Sequence, residues 1–186
     1  MLEPPAHWET KRLELRPATR AEAAAAFASY TSDPAVSRYL MWRPHRSVAE
    51  TEQFLHRCED VWDKREAFPW SLWLKADRSF AGMLEARVKA HAVDIGYVLA
   101  PRYWRQGLMG EAVAGLIDWA FASPEIFRVW AVCDVDNIAS ARLLERVGMQ
   151  FEGLLRRWLV HPNLGDAPRD CLCFAIVKKR TAPIDR

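Results

Sequence analysis

The chain has 186 residues, of which 51% are hydrophobic and 27% charged. This length is typical of one domain, and this composition excludes an intrinsically disordered or collagen-like chain. The formal net charge is only +2, which argues against a protein whose main task is to bind nucleic acid. We therefore expect a single globular domain over residues 1–186, with flexible tails at residues 1–10 and 181–186.

Hydrophobic patterning, taken in chain order, predicts strands and helices that alternate. A strand at residues 13–16 is followed by two helices, at about 19–30 and 47–62, each opened by a capping-box pattern. Three strands are predicted next, at 70–74, 80–88 and 92–99, and then a helix at 107–121. A strand at 127–133, a helix at 137–147 and strands at 149–160 and 171–177 complete the order. This order predicts an α/β domain with a mixed sheet flanked by helices.

The cysteines and the apolar segments limit the possible settings of the protein. Cys58, Cys133, Cys171 and Cys173 lack the spacing of a zinc site, so we expect free thiols and no bound metal. No stretch approaches the roughly 18 apolar residues of a membrane span, and the first residues lack the apolar core of a secretory signal. The expected location is the cytoplasm, with no membrane partner.

The segment after the strand at 92–99 has the features of an anion site. A short loop runs from Ala100 to Gln106 and enters a helix through Gly107-Leu108-Met109-Gly110. The first N–H groups of a helix have no partner inside it, and the helix dipole adds about half a positive charge there. By itself this pattern is equally typical of an ordinary strand-to-helix turn, since neither a Walker A motif nor a dinucleotide-binding motif is present.

Three motif blocks make the segment more specific. The loop Trp104-Arg105-Gln106-Gly107-Leu108-Met109-Gly110-Glu111-Ala112 resembles the acyl-CoA pyrophosphate loop of the GNAT superfamily of N-acetyltransferases. Ile95-Gly96-Tyr97-Val98-Leu99 resembles the strand before that loop, and Asn137–Met149 with Glu152-Gly153 resembles the second conserved block. The most similar branch is the RimJ/RimL-like one, which includes acetyltransferases of ribosomal-protein N-termini. The resemblance implies a single-domain GNAT fold, with a mostly antiparallel central sheet of about seven strands flanked by about four helices.

The resemblance also implies a co-substrate, acetyl-CoA, and the residues that hold it. The pantetheine arm is expected along Tyr97, Val98 and Leu99, and the pyrophosphate at the amides of Gln106, Gly107, Leu108, Met109 and Gly110. Arg105 stands where many members have the first glycine of the loop, and an arginine there would reach a phosphate itself. Asn137, Ser140 and Arg142 are further cofactor-binding candidates, Arg142 toward the 3′-phosphate end.

The expected chemistry is acetyl transfer to a neutral amine, with a base to take its proton. Asp94 is the candidate base, because it is a lone carboxylate in an apolar strand; Glu85 on the neighbouring predicted strand is its rival. Ser140 and Asn137 are the other catalytic candidates, the serine as a donor to the departing thiolate. Plain alternatives stay open: Asn137 as a helix cap and Ser140 bonded to its own helix. The glutamate used by some RimL-like enzymes corresponds here to Leu159, which cannot take a proton.

Nine tryptophans are more than a core of this size needs. The resemblance implies that the segments around Trp42, Trp70 and Trp158 line the acceptor-binding side. We therefore predict an aromatic acceptor pocket with Glu85 beside it. The predicted function is transfer of acetyl from acetyl-CoA to a protein N-terminus or a small-molecule amine, by a monomer or homodimer. The alternative is a non-catalytic acyl-CoA-binding regulatory domain.

Overall fold

The structure is a computed structural model that describes residues 3–179. Eight strands form one sheet, and their bounds are β1 Trp8–Glu9, β2 Leu13–Pro17, β3 Phe68–Leu74, β4 Phe80–Lys89, β5 Ala92–Leu99, β6 Arg128–Asp134, β7 Gln150–Leu159 and β8 Arg169–Val177. Five α-helices accompany them: α1 Ala23–Ala26, α2 Pro34–Ser37, α3 Val48–Asp63, α4 Leu108–Ala122 and α5 Ile138–Arg146. The α/β architecture and the single sheet agree with the prediction from the sequence.

The strands lie in the order β1-β2-β3-β4-β5-β6-β8-β7. Neighbours are antiparallel except β5 and β6, which are parallel. A parallel pair needs a crossover, and the loop and α4 between β5 and β6 supply it. The sheet is therefore mixed and mostly antiparallel, as the resemblance implied.

Helices cover both faces of the sheet. Successive strand residues point to opposite faces, so the contacts of two neighbours identify the layers. The ring of Trp70 on β3 packs edge-on against Trp119 of α4, with ring centroids 5.6 Å apart. The next residue, Ser71, instead donates a hydrogen bond to Glu22, in the turn that opens α1. The core thus lies between the sheet and α4 on one face, and between the sheet and the α1–α3 segment on the other.

The helices begin where their caps predict. Ser47 accepts a hydrogen bond from the Glu50 amide at 3.3 Å and starts α3, and Asn137 accepts one from the Ser140 amide at 3.2 Å and starts α5. Asp33 caps the short α2 by accepting from the Ala35 amide. Pro34 follows it as the first residue of this helix, a position to which proline is well suited.

Residues 3–10, which belong to the segment predicted as a flexible tail at residues 1–10, contact the rest of the domain. Trp8 and Glu9 form β1, which pairs with β2 through Trp8 and Leu15. Trp8 packs edge-on against Trp70, with ring centroids 6.1 Å apart, and the Trp70 Nε1 donates to the Pro5 carbonyl at 2.9 Å. Burial of these aromatic rings offsets the entropy of ordering the segment. This strand also raises the count from the predicted seven to eight. The predicted tail at 181–186 lies outside the described residues.

None of the helices within residues 3–179 is both long enough and apolar enough to cross a bilayer. The cysteines, Cys58, Cys133, Cys171 and Cys173, are free and buried.

Candidate active site

A cleft opens between β5 and β6, because these parallel neighbours pair over only three residues. The ladder joins Ala92–Asp94 to Arg128–Trp130 and ends there. Beyond it, the edge of β5 that faces β6 carries backbone groups without a β6 partner in the described chain, and such groups need partners from elsewhere. Tyr97, Val98 and Leu99, the candidates for the pantetheine arm, belong to the part of β5 that has no β6 partner in the ladder.

The loop that leaves β5 delivers the start of α4 to the open end of the cleft. The indole Nε1 of Trp104 donates to the Leu99 carbonyl at 2.7 Å, which folds the loop back on the strand. Gly107, the residue before α4, has a φ of 77°. A glycine adopts this left-handed conformation without a Cβ clash, so the chain can reverse and enter the helix at Leu108.

Among the loop candidates, backbone and side chains play different parts. The side chains of Leu108 and Met109 are buried in the core, so these two residues offer a ligand only their amides. The Gln106 side chain donates to the Arg102 carbonyl at 2.7 Å and supports the loop from within. Arg105 is exposed and adopts a φ of 61°, a strained conformation for a residue other than glycine. The loop therefore presents free amides and an arginine, the chemistry that binds an anion.

Ser140 and Tyr97 meet across the cleft. The Tyr97 hydroxyl on β5 and the Ser140 Oγ on α5 are hydrogen-bonded at 2.7 Å. Ser140 thus has a partner from another element, in contrast to the alternative in which it bonds its own helix. Burial raises the pKa of Tyr97, and the hydrogen bond with Ser140 only partly offsets this. The Tyr97 phenol is therefore neutral at physiological pH, and either hydroxyl can donate to the other.

Sequence reasoning selected the Tyr97 backbone and missed the Tyr97 hydroxyl. The alternation of side chains along β5 could have indicated this hydroxyl, because it places residues 93, 95 and 97 on the face that α4 and α5 cover. Asn137 lies beside this contact as the cap of α5. Cys133 on β6 is close to it, and burial raises the pKa of this thiol to about 11 despite a hydrogen bond with Ser140. Arg142 is exposed on α5.

The two candidate bases share one arginine. Arg87 Nε donates to Asp94 Oδ2 at 2.8 Å, and its Nη1 also donates to Glu85. Gly96 beside Glu85 has no side chain, and a Cβ there would lie 3.5 Å from the Arg87 Nη2. The pairing of Arg87 with Asp94 could have been inferred from the sequence, since a two-residue turn after Lys89 places Arg87 opposite Asp94.

Asp94 and Tyr97 lie on opposite faces of β5, because they are three residues apart in a strand. The structure therefore does not bring the candidate base together with Ser140 on one face. The two carboxylates are partly exposed, with 22% of the Asp94 side chain and 31% of the Glu85 side chain accessible. Protons can reach both groups from solvent.

A buried ion pair fastens the turn between β6 and α5. Asp134 is buried and accepts two hydrogen bonds from Arg169 of β8, at 2.6 and 3.1 Å. Arg169 also donates to Asp136 at 2.6 Å. Burial alone would raise the pKa of Asp134, but the hydrogen bonds from Arg169 and the Asp136 amide hold it below its ordinary value. This pair was missed in the sequence, because 35 residues separate its partners.

The three acceptor-side tryptophans have different surroundings. Trp42 is half-buried and packs against His45 with ring centroids 5.2 Å apart, and its carbonyl accepts from the Asn163 side chain in the β7–β8 loop. Trp158 is exposed on the edge strand β7. The prediction for Trp70 is wrong, because its ring is fully buried between Trp8 and Trp119 and reaches no cleft. Its place in the sequence gave no sign of burial, since β3 is aromatic on both faces.

Within residues 3–179, no group of three or more His, Cys, Asp or Glu side chains is arranged to hold a metal ion. The candidate site thus combines the gap between β5 and β6, the loop that enters α4, the Tyr97–Ser140 hydroxyl pair and, on the opposite face of β5, the carboxylates of Asp94 and Glu85.

Comparison with known proteins gives a consistent result. Residues 12–150 match the model of the acetyltransferase (GNAT) domain. The chain is 29% identical to the uncharacterized N-acetyltransferase YoaA of Bacillus subtilis, over 92% of this chain and 97% of that protein.

Two solved structures have a similar fold. One is a ribosomal-protein-S5-alanine acetyltransferase from Vibrio fischeri, with a TM-score of 0.79 and 22% identity over 96% of this chain and 100% of that one. The other is the microcin C7 self-immunity acetyltransferase MccE in complex with acetyl-CoA and AMP, with a TM-score of 0.84 and 18% identity over 94% of this chain and 98% of that one.

Proposed function

Since the chain belongs to the GNAT family of acetyltransferases, we propose that it transfers the acetyl group of acetyl-CoA directly to a primary amine, either a protein N-terminus or a small-molecule amine. The class of the enzyme, an acyl-CoA-dependent acetyltransferase, follows from the family. The observation that carries the proposal is the β5–β6 cleft, with free amides at its open end and the Tyr97–Ser140 hydroxyl pair at its wall.

The residues present fit acetyl-CoA as the co-substrate. The unpaired edge of β5 suits the amide groups of a pantetheine arm, which would add hydrogen bonds as a strand does. The amides from Gln106 to Gly110, with Arg105 beside them, suit the pyrophosphate. Arg142, exposed on α5, is proposed to interact with the 3′-phosphate. When bound, acetyl-CoA supplies the acyl thioester.

Ser140 is proposed to stabilise the leaving group. In the reaction the amine nitrogen forms a bond to the acetyl carbon, the carbon–sulfur bond breaks, and the electron pair stays on the CoA sulfur. A hydroxyl beside that sulfur donates a hydrogen bond to the developing thiolate. Tyr97 holds the Ser140 hydroxyl at 2.7 Å, and Asn137 fixes the start of its helix. The hydroxyl is therefore positioned before the substrate arrives.

Asp94 is proposed to accept the proton of the amine, directly or through water. Its carboxylate accepts a hydrogen bond from the Arg87 Nε at 2.8 Å, and 22% of the side chain stays open to solvent, so a proton taken from the amine can leave the site. Glu85 has the same partner and is the rival for this role. The amine attacks only as the neutral species. A carboxylate beside the cleft attracts the ammonium form and takes its proton, which leaves the amine neutral.

Replacing Asp94 with asparagine tests the assignment of the base. We expect kcat to fall about 10- to 100-fold, because the proton acceptor is gone. Steady-state kinetics would measure the change. Glu85→Gln is the matched variant, and we expect its effect to be smaller. A larger effect in Glu85→Gln would transfer the role to Glu85, and an unchanged kcat in both variants would exclude both residues.

The acceptor is proposed to lie on the side of Trp42 and Trp158, where aromatic rings suit an apolar or cationic amine. A screen of N-terminal peptides and small amines, with thiol release from acetyl-CoA as the readout, tests the function itself. We expect thiol release with at least one class of amine, and mass spectrometry to show that amine acetylated.

The second candidate, an acyl-CoA-binding regulatory domain, is favoured by one observation. Leu159 on β7 occupies the position where some RimL-like enzymes have a glutamate. CoA protection in a thermal-shift assay without thiol release across the screen would support this candidate. Absence of CoA protection would contradict both.

A further inference from the structure

The N-terminal hairpin of β1 and β2 is fastened to the first two turns of α4. Glu111 and Gly115 are four residues apart on one face of this helix. Glu111 contacts Thr10 and Arg12 of the hairpin. Gly115 contacts Trp8, whose ring would overlap a Cβ at this position. The hairpin therefore fixes α4 at the end that carries the proposed pyrophosphate amides.

Glu111 is held by three donors from the hairpin turn. The Arg12 backbone amide donates to its Oε1 at 2.8 Å, and the Arg12 Nε donates to its Oε2 at 2.8 Å. The Thr10 hydroxyl also donates to Oε1. Burial alone would raise the pKa of Glu111, but the hydrogen bonds from Thr10 and Arg12 hold it below its ordinary value. Glu111 is therefore ionised at neutral pH.

Arg12 also contacts the cofactor loop itself. Its Nη1 donates to the Gln106 carbonyl at 2.9 Å, and its Nη2 would lie 3.6 Å from a Cβ built on Gly107. In a trans peptide the C=O of one residue and the N–H of the next point in opposite directions. Because the Gln106 carbonyl points at Arg12, the Gly107 N–H points away from Arg12. One guanidinium thus sets the direction of an amide in the loop.

The same arginine compensates an unfavourable charge. Glu111 places a carboxylate in the first turn of α4. There the negative charge interacts favourably with the helix dipole but repels a pyrophosphate. The Arg12 guanidinium, paired with Glu111 and next to Gly107, offsets that repulsion. The planar guanidinium donates to the Glu111 carboxylate and the Gln106 carbonyl at the same time, and a lysine ammonium would satisfy this pair of acceptors less well.

We propose that Arg12 is a positioning residue of the cofactor site, which orients the Gln106–Gly107 peptide and neutralises Glu111 so that the loop binds the CoA pyrophosphate. The proposal rests on the proposed function and adds to it a role for the N-terminal hairpin. It predicts that the hairpin affects the pyrophosphate end of the co-substrate and leaves the thioester end unaffected.

The test compares donors with and without the pyrophosphate in the full-length chain. In Arg12→Ala we expect the Kd for CoA and the KM for acetyl-CoA to rise about tenfold or more, as expected for loss of a charge-assisted hydrogen bond. We expect kcat at saturation to stay within about twofold, because Arg12 does not touch the reacting atoms. Turnover of S-acetylpantetheine, which lacks the diphosphate, should be unchanged. Isothermal titration and thiol-release kinetics supply these values.

Companion variants separate positioning from charge and from folding. Arg12→Lys keeps the charge and should restore the affinity for CoA only in part; full restoration would overturn the positioning role. Glu111→Gln removes the charge that Arg12 offsets, so Arg12→Ala should cost less CoA affinity in a Glu111→Gln background than in the wild-type chain. Arg12→Lys serves if Arg12→Ala does not fold. Arg20 is an exposed arginine that pairs with Glu59. Arg20→Ala matches the loss of charge and should leave CoA binding unchanged.

Two further results would overturn the positioning role. One is unchanged CoA affinity in Arg12→Ala, and the other is an equal loss with S-acetylpantetheine. A wild-type chain that binds no CoA would instead contradict the proposed function.

Discussion

Ser140→Ala is expected to lower kcat about 100-fold while the KM for acetyl-CoA changes little, because the lost hydroxyl interacts with charge that develops only in the transition state. In the ground state Ser140 bonds Tyr97 at 2.7 Å, and both side chains belong to rigid elements. Steady-state kinetics with acetyl-CoA and the best amine of the screen would measure the effect. Circular dichroism and the melting temperature would establish that the variant is folded.

Tyr97→Phe is the matched control for Ser140. It removes the phenol that orients the serine but keeps the ring, so we expect a smaller fall in kcat, of about tenfold. A fall in Tyr97→Phe as large as that in Ser140→Ala would mean that Tyr97 itself is the donor. If kcat were unchanged in Ser140→Ala, the role assigned to the hydroxyl pair would be wrong.

Trp70→Ala is expected to have the largest effect on stability. The ring is fully buried and packs edge-on against Trp62 at 5.4 Å and Trp119 at 5.6 Å, and it also contacts Trp8. Its Nε1 bond to Pro5 is lost as well. Large-to-small changes of this kind cost about 3–5 kcal/mol. For a domain of this size the melting temperature should fall by roughly 6–20 °C.

Trp158→Ala removes the same side chain from an exposed site. We expect its free energy of unfolding to change by less than about 0.5 kcal/mol, with any effect confined to the KM for the acceptor. Urea unfolding of both variants would measure the difference. Equal destabilisation would contradict the division between core and surface tryptophans.

Local sequence signals sufficed for the elements that form the site. α4 repeats its buried residues at Met109, Ala112, Val113 and Leu116, a helical period that needs no knowledge of the partner. The cap of α5 at Asn137 is equally local. β5 was found because its length and its composition are those of a strand.

Other features depend on partners that are distant in the sequence. The two-residue strand β1 is too short for a periodicity, and contacts distant in the sequence order it, among them those of Trp8 with Trp70 and α4. Asp134 and Arg169 are separated by 35 residues, and Arg12 and Glu111 by 99. No spacing rule connects such pairs, because the sheet order that brings them together is a tertiary property.

The tryptophans show the same division. Trp70 lies in the apolar strand β3, whereas Arg156 and Arg157 precede Trp158 in β7, so the local sequence already favours exposure of Trp158. What covers Trp70 is decided by the sheet: β3 is an inner strand covered by α4, whereas β7 is an edge strand. The complete burial of Trp70 is therefore a consequence of strand order, which sequence periodicity does not contain.

By itself, the sequence determined the α/β class, the loop before α4 and the candidate residues for binding an acyl-CoA. Those features depend on neighbours within a turn of helix or a few strand residues, where backbone geometry alone relates spacing to position. The tertiary structure decided that β5 and β6 separate after Asp94, that Tyr97 meets Ser140, and that the N-terminal hairpin supports the cofactor loop. Each of these requires two segments distant in the chain to pack together, and packing is selected by the free energy of the whole core.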